Sequence, residues 1–263
     1  MATSSQSAFS TTLTDVTLTA QAHLGETYAW TWQGRSVRVA WEIRGEGPAE
    51  VIGLPAFSTI STRAELHPLA DRLSAEGFRC VLVDWPGFGA SDRLDLPYGP
   101  ALYRAFLADF VATRPAGAAI LACGHAAGYA LAVARAQPGH ICALVLVAPT
   151  WRGPLPTVKG EYRRPLYARI RAAVRSPLLG HLLYRVNTVR PVLRIMLRRH
   201  VYSEPASVLA EAVARKQRVA RQPGARFGSA AFVTGVLDPV SDRGSFPIQF
   251  DPLPAPVLVL RGG

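Results

Sequence analysis

The sequence predicts a fold of the α/β class: a mostly parallel, twisted sheet with helices on both faces and a helical insert. Short, continuously apolar segments alternate with helical segments of about 10–15 residues, which is the pattern of a parallel sheet buried on both faces. Hydrophobic residues make up 49% of the 263 residues and charged residues only 18%. That composition provides enough apolar material for one large core.

The elements of the core can be assigned in chain order. Alternating apolar residues predict a hairpin over residues 27–44 that turns near Gln33 and Gly34. Further strands are predicted at 51–54, 80–83, 118–122, 141–147 and 257–260, and helices at 63–75, 98–113 and 126–137. Strands that alternate with helices in this way favour a parallel sheet.

No strand is predicted between the segments 141–147 and 257–260. Apolar residues recur there at helical spacing and predict two to four helices, broken at Pro177, Pro191 and Pro205. The three sets are Leu178, Leu179, Leu182, Leu183 and Val186; Val192, Leu193, Met196 and Leu197; and Val208, Leu209, Ala212 and Val213. We therefore predict an α/β core of residues 1–151 and 227–263, with a cap insert at 152–226.

The charge of the chain is concentrated in this insert. Residues 152–226 contain 17 Lys and Arg against three Glu, a net charge of +14, whereas the whole chain carries +11. The remainder of the chain is therefore slightly acidic, and the basic character belongs to the insert.

A glycine-flanked turn between a predicted strand and helix is the candidate site. Gly124 and Gly128 lie two residues either side of Ala126, in the segment Cys-Gly-His-Ala-Ala-Gly-Tyr. This is the spacing of the G-x-S-x-G nucleophile elbow, with alanine in place of serine. We expect that a side chain at either glycine would crowd the neighbouring strand and helix.

Several segments around this turn resemble the α/β hydrolase family, of esterase or lipase type. Residues 84–92 (DWPGFGASD) resemble the family's Asp-x-x-Gly-x-Gly-x-Ser loop, residues 54–58 (LPAFS) occupy the place of its oxyanion loop, and residues 145–149 (VLVAP) resemble the strand before its cap domain. The resemblance implies a serine hydrolase ancestor. Ala126 departs from it, because a methyl group cannot attack an acyl carbon.

The resemblance also implies an acid and a histidine that this sequence lacks. The acid would follow the strand 257–260 and the histidine would come later still, but the sequence stops at Gly263. We expect that the C-terminal part of the fold is missing through truncation. Ala126 needs a separate explanation, and we favour natural divergence over an engineered change.

The oxyanion donors implied by the resemblance are the backbone N–H groups of Phe57 and Ala127, which a serine-to-alanine change leaves in place. They would bind a hydrophobic carbonyl-containing or lipid-like ligand. The aromatic and imidazole side chains expected around it are Phe57, Trp85, His125, Tyr129 and Trp151. The alternative is that these side chains are ordinary core.

Five acidic or basic residues remain to be interpreted. His125 is the candidate acid or base, although packing beneath the loop is the favoured role. Asp84 and Asp92 are interpreted as residues that cap their loop. Asp238 and Asp242 could approach the pocket, but the spacing does not require it.

The arginines of the insert alternate with apolar residues at 162–171 and 190–199. One hypothesis is an amphipathic cap whose cationic face meets an anionic membrane surface while its apolar face covers the ligand. The other is a cap with an ordinary solvated outer face. Nucleic-acid binding is disfavoured, because no recognised binding fold is present.

The remaining residue types narrow the class of protein. Cys80, Cys123 and Cys142 lie in apolar runs and are expected to be reduced thiols in a cytoplasmic protein. No metal-ligand spacing occurs, and Asp92 stands where a dinucleotide loop needs its third glycine, so no cofactor is expected.

The leading hypothesis is a ligand-binding protein without serine hydrolase activity. The alternatives are a hydrolase or lyase of esters or lipids whose full-length form uses a nucleophile other than serine, such as water, and a peripheral membrane protein without enzymatic activity.

Overall fold

The computed structural model describes residues 25–160, 164–200 and 210–261. The predicted helical positions Val208 and Leu209, the break at Pro205 and the residues 162–163 lie outside these ranges. In the described part of the chain seven strands form one sheet, in the order β1-β2-β4-β3-β5-β6-β7. They are β1 (Glu26–Trp32), β2 (Arg35–Arg44), β3 (Ala49–Leu54), β4 (Phe78–Val83), β5 (Ala118–Cys123), β6 (Ile141–Val147) and β7 (Val257–Leu260).

The sheet is mostly parallel, as predicted. The β1–β2 hairpin pairs antiparallel to β4, and every later pair is parallel. Its turn is at Gln33 and Gly34, whose φ angles of +49° and +77° suit a two-residue turn that matches the twist of the strands. The predicted position of the hairpin is confirmed.

Helices cover both faces of the sheet. On β4, Val81 and Val83 pack in the main hydrophobic cluster with the core helices α2 (Pro100–Ala112) and α3 (Ala126–Ala136), whereas Cys80 and Leu82 pack with Ala70 of α1 (His67–Ala75). Successive side chains of a strand point to opposite faces. The two sets of helices therefore lie on opposite sides.

The insert contains more helices than predicted. They are α4 (Pro154–Lys159), α5 (Arg164–Arg175), α6 (Leu179–Asn187), α7 (Arg190–His200) and α8 (Ala210–Ala220), followed by α9 (Ala225–Val233) and α10 (Ser245–Ile248). The boundary drawn at residue 226 therefore falls inside α9. The break at Pro177 is confirmed, since it separates α5 from α6.

The break predicted at Pro191 is present, but it falls just before the proline, between the end of α6 at Asn187 and the start of α7 at Arg190. Pro191 is the second residue of α7, where the missing N–H of proline has no helical partner to lose. Leu193 and Leu197 then pack against Ile60 and Val213 in a small cluster of their own. No helix within the described ranges is both long and apolar enough to cross a membrane.

The three cysteines have no disulfide partner and differ in burial. Cys80 is buried, Cys123 is partly buried and Cys142 is exposed on β6. The interpretation as free thiols is confirmed. Cys142 is exposed although it lies in an apolar strand, because it is the extra residue where the β5–β6 register shifts: Ala118 pairs with Ile141 and Ala119 with Ala143.

Candidate functional site

The predicted elbow is a two-residue turn between β5 and α3. β5 ends at Cys123 and α3 begins at Ala126, so Gly124 and His125 form the turn. Gly124 has the left-handed φ of +56°, and Ala126 is fully buried in the main hydrophobic cluster. The strained backbone position that an elbow requires is therefore occupied by Gly124, and Ala126 belongs to the first turn of the helix.

The two glycines are needed for different reasons. A Cβ on Gly128 would lie 2.6 Å from both Cβ and Cγ of Pro239, so this glycine permits close packing. A Cβ on Gly124 would meet only Ala56 at 3.4 Å and Thr150 at 3.6 Å, which are ordinary contacts. The expectation that both positions are crowded is thus confirmed for Gly128 only. Gly124 serves the backbone angle instead.

The oxyanion donor expected at Ala127 is engaged within the elbow. Its backbone N–H donates to the carbonyl of Gly124 at 3.2 Å, and the residue is buried. Because α3 begins at Ala126, this N–H lies inside the first helical turn rather than beside an open cavity. An oxyanion hole using Ala127 would require this contact to break.

The aromatic side chains expected to line a pocket form part of the core. Phe57 stacks on Trp85 with ring centroids 4.6 Å apart, and Tyr129 lies 5.6 Å from Phe57. All three are at most 2% exposed. The Trp85 indole N–H donates to the Pro55 carbonyl at 2.9 Å and the Tyr129 hydroxyl to the Leu237 carbonyl at 2.8 Å. The alternative of ordinary core packing is the one that this geometry favours.

Trp151 lies apart from this aromatic cluster. It is half-buried just beyond β6, and the guanidinium of Arg152 lies over its ring at 4.7 Å. A cation over the face of an indole is a favourable contact. In this arrangement Trp151 contacts the start of the cap.

His125 is buried and meets the carboxylate of Asp238. Its Nε2 lies 3.3 Å from Asp238 Oδ1, and the same oxygen accepts the backbone N–H of Gly153 at 2.8 Å. The ring of His125 also packs edge-on against Phe232 at 5.4 Å. A carboxylate held by the backbone and directed at an imidazole fixes the orientation of that ring, as in acid–base sites.

A cavity of about 630 Å³ adjoins this pair, between the cap and the core. Asp238 lies in its wall together with Arg104 of α2 and with Arg164 and Arg171 of α5. The other residues lining the cavity are Pro100, Pro156, Tyr167, Ala168, Thr234, Gly235, Val236, Pro239, Val240, Ser241 and Ser245. The wall therefore carries three guanidinium groups against one carboxylate.

Two of these arginines are fixed by main-chain carbonyl groups. Arg104 donates to the carbonyl of Pro239 and Arg164 to that of Ser241, both at 2.6 Å. Burial lowers the pKa of Arg171, and the charge of Arg175 lowers it further. The bonds to neutral acceptors position the cations without cancelling their charge.

The arginines of this cavity were not assigned to a site from the sequence. The arginine-rich segment that contains Arg164 and Arg171 was interpreted as an outer face of the cap, whereas the structure turns part of it towards the core. Arg104 lies in a helix of mainly apolar residues, with nothing in the spacing to mark it. The only sequence signal for a basic site was the high density of arginines around α5.

The remaining acidic residues have local roles. Asp84 is almost wholly buried and accepts the backbone N–H of Arg63 at 2.7 Å and that of Ala90 at 2.8 Å. Asp92 accepts the backbone N–H of Arg38 at 2.9 Å. Asp84 thus caps its own loop through Ala90, as interpreted from the sequence, whereas Asp92 bonds to Arg38 of the distant strand β2 instead. Asp242 is exposed and accepts the backbone N–H of Ser245 at 3.0 Å.

A comparison with family profiles matches residues 53–263 to the alpha/beta hydrolase family. No curated protein sequence matches the chain. Among solved structures, a hydrolase from Pseudomonas aeruginosa is 20% identical with a TM-score of 0.61, over 92% of this chain and 81% of that one. Cfl2 from Burkholderia cenocepacia is 24% identical with a TM-score of 0.62, over 89% and 78% of the two chains. An alpha/beta hydrolase from Sphaerobacter thermophilus is 22% identical with a TM-score of 0.56, over 90% and 82%.

Proposed function

The chain belongs to the alpha/beta hydrolase family, and we propose that it binds a small carbonyl-containing carboxylate without serine hydrolase activity. The observation that carries this proposal is the cavity whose wall holds Arg104, Arg164 and Arg171 against Asp238 as its one acidic residue. The cavity borders the His125–Asp238 pair, and His125 belongs to the elbow, where the family has its nucleophile.

The residues of the elbow support the absence of a serine nucleophile. Gly124, His125 and Ala126 offer no hydroxyl or thiol. Cys123 precedes them, but its side chain packs with the cluster around α1 on the other face of the sheet. Burial raises the pKa of that thiol to about 11, so almost no thiolate forms near neutral pH.

The charge of the cavity narrows the ligand expected from the sequence. A neutral carbonyl compound would leave three guanidinium groups facing apolar surface, whereas a carboxylate accepts charge-assisted hydrogen bonds from them. The apolar part of such a ligand has Tyr167 and Val236 to pack against. We therefore propose a hydrophobic carbonyl compound that also bears a carboxylate.

Calorimetric titration with 3-phenylpropionate and with its neutral amide tests the carboxylate preference on which this proposal depends. The carboxylate should bind at least about tenfold more tightly than the amide, which corresponds to the strength of one charge-assisted hydrogen bond. Arg171→Gln should weaken binding of the carboxylate by about tenfold. Arg169→Gln provides the matched control, because Arg169 lies on the same helix, is exposed and does not line the cavity. Equal affinity for acid and amide, or none for either, would contradict the proposal.

A second candidate function is water-dependent hydrolysis or lyase chemistry. The 3.3 Å contact between His125 and Asp238 favours it, since a carboxylate-oriented imidazole can act as a general base. This candidate predicts turnover of an ester of the bound acid that His125→Gln abolishes while the affinity for 3-phenylpropionate is kept. Binding without turnover supports the first candidate alone.

A further inference from the structure

The cap exposes a row of large apolar side chains on α6 and at its N-cap Leu178, here called the α6 ridge. Leu178, Leu179, Leu182 and Val186 have exposed fractions of 88%, 52%, 62% and 59%. At 100° per residue these four positions fall within about 100° of arc, so they share one side of the helix. Contiguous exposed apolar side chains mark an interaction surface.

The opposite side of α6 is firmly packed. A Cβ on Gly180 would lie 2.1 Å from the carbonyl oxygen of Val174, so the helix approaches α5 as closely as a glycine allows. The Tyr184 hydroxyl also lies 3.0 Å from the hydroxyl of Ser229 on α9. The α6 ridge is thus the exposed outer side of an anchored helix. It does not cover a ligand cavity, which is the role expected from the sequence for the apolar face of the cap.

A basic cavity of about 360 Å³ lies beside the ridge. Its wall includes His181 and Arg185 of α6 with Arg221 and Arg226, and no carboxylate lines it. Among the described residues, neither Arg185 nor Arg221 forms an ion pair with an acid. His181 and Arg185 lie one turn apart on the helix, on the flank next to Leu178 and Leu182.

The hydrogen bonds of this cavity leave its positive charge uncompensated. Arg226 Nη1 donates to His181 Nε2 at 3.0 Å, and His181 Nδ1 donates to the Pro177 carbonyl at 2.7 Å. The guanidinium of Arg226 also lies 4.2 Å from the ring of Phe227. Arg226 is therefore held by neutral groups, with its charge available to an anion.

We propose that the α6 ridge and the neighbouring basic cavity dock on an anionic lipid bilayer. The ridge enters the interfacial region, and Arg185, Arg221 and Arg226 receive a lipid phosphate. An amphipathic helix with leucines on one side and arginines at its flank suits this environment. Nucleic acid would leave the leucines without a partner, and a second copy would bring two basic caps together.

Vesicle co-sedimentation tests the proposal, with phosphatidylcholine vesicles that contain or lack phosphatidylglycerol. The chain should bind anionic vesicles at least about tenfold more tightly than neutral ones, and less tightly at about 0.5 M salt than at about 0.05 M. Leu178→Ser/Leu182→Ser should weaken binding to anionic vesicles by about tenfold. Arg185→Gln/Arg221→Gln should weaken it by about fivefold per arginine.

The matched controls are Leu253→Ser and Arg243→Gln, which change an exposed leucine and an exposed arginine outside the cap. Both should bind vesicles like the unchanged chain. Equal binding to neutral and anionic vesicles would overturn the proposal. So would ridge variants that bind as tightly as the controls, or ridge variants that lose self-association or RNA binding while keeping vesicle binding.

Discussion

His125 and Asp238 are 113 residues apart in the sequence, and Nε2 of the histidine lies 3.3 Å from Oδ1 of the aspartate. His125 belongs to the elbow, and Asp238 follows α9 and forms part of the cavity wall. Asp238 also accepts the Gly153 N–H at 2.8 Å, at the start of the cap. This one carboxylate therefore joins the elbow, the first cap helix and the cavity.

Removing the Asp238 carboxylate should destabilise the fold. Asp238→Ala leaves the Gly153 N–H and the buried imidazole without their acceptor, which costs about 1–3 kcal/mol of the free energy of unfolding. Asp238→Asn keeps an oxygen for Gly153 and should cost less than about 1 kcal/mol. Urea denaturation measures both values. Similar losses for the two variants would mean that the hydrogen bonds of Asp238 do not contribute as described.

The close packing of Gly128 on Pro239 gives a second prediction. Gly128→Ala places a methyl 2.6 Å from two atoms of the proline ring and should destabilise the chain by about 1–3 kcal/mol. In the double variant with Pro239→Ala, part of the lost free energy of unfolding should be restored, because the proline ring that opposes the new methyl group is removed. Thermal and urea unfolding of the two single variants and the double variant would check it. Strict additivity would rule out the steric explanation.

A buried ion-pair network around Arg63 gives a third prediction. Arg63 donates from Nη1 to Asp84 at 2.5 Å and from Nε to Glu42 at 3.0 Å, and both carboxylates are buried. Arg63→Gln should cost about 3–5 kcal/mol, because it leaves the buried Asp84 carboxylate without a cation, whereas Glu42 keeps Arg44 at 3.8 Å. Arg38→Gln breaks the exposed Arg38–Asp92 pair and should cost less than about 1 kcal/mol. Urea denaturation measures the free energy of unfolding of both variants, and comparable losses for Arg63→Gln and Arg38→Gln would contradict this explanation.

The sequence predicted the fold more fully than the site. Continuous apolar strands and the glycine-flanked turn located β3 to β7 and α3 to within about two residues. Each of these signals lies within a single segment of the sequence, because a strand that is buried on both faces must itself be continuously apolar. The contact of His125 with Asp238 depends on how the chain returns after the cap, and no local pattern encodes that path.

The elbow itself shows how a motif can be misplaced by two residues. The spacing of Gly124 and Gly128 put Ala126 at the centre of the turn. The structure begins α3 at Ala126 and gives the positive φ to Gly124. Glycine at both positions fits either arrangement, since glycine serves both a left-handed backbone and close packing. The sequence could not distinguish these two uses.

The cysteines offer a prediction on reactivity. Burial raises the pKa of Cys80 and raises that of Cys123 to about 11, so at about pH 8 both remain protonated and weakly nucleophilic. Cys142 is exposed. Iodoacetamide should therefore modify Cys142 first, as peptide mass spectrometry of the folded chain would record. Faster modification of Cys123 would show an activated thiol at the elbow and contradict the assigned burial.

The most direct test of the central claim is release of p-nitrophenolate from p-nitrophenyl butyrate by a preparation that binds 3-phenylpropionate. We predict no release above the uncatalysed rate, because neither Gly124, His125 nor Ala126 supplies a hydroxyl. We predict the same for Ala126→Ser, because residue 126 is fully buried. Turnover of the unchanged chain at about 1 per second or faster, as is typical of enzymes, would contradict this claim.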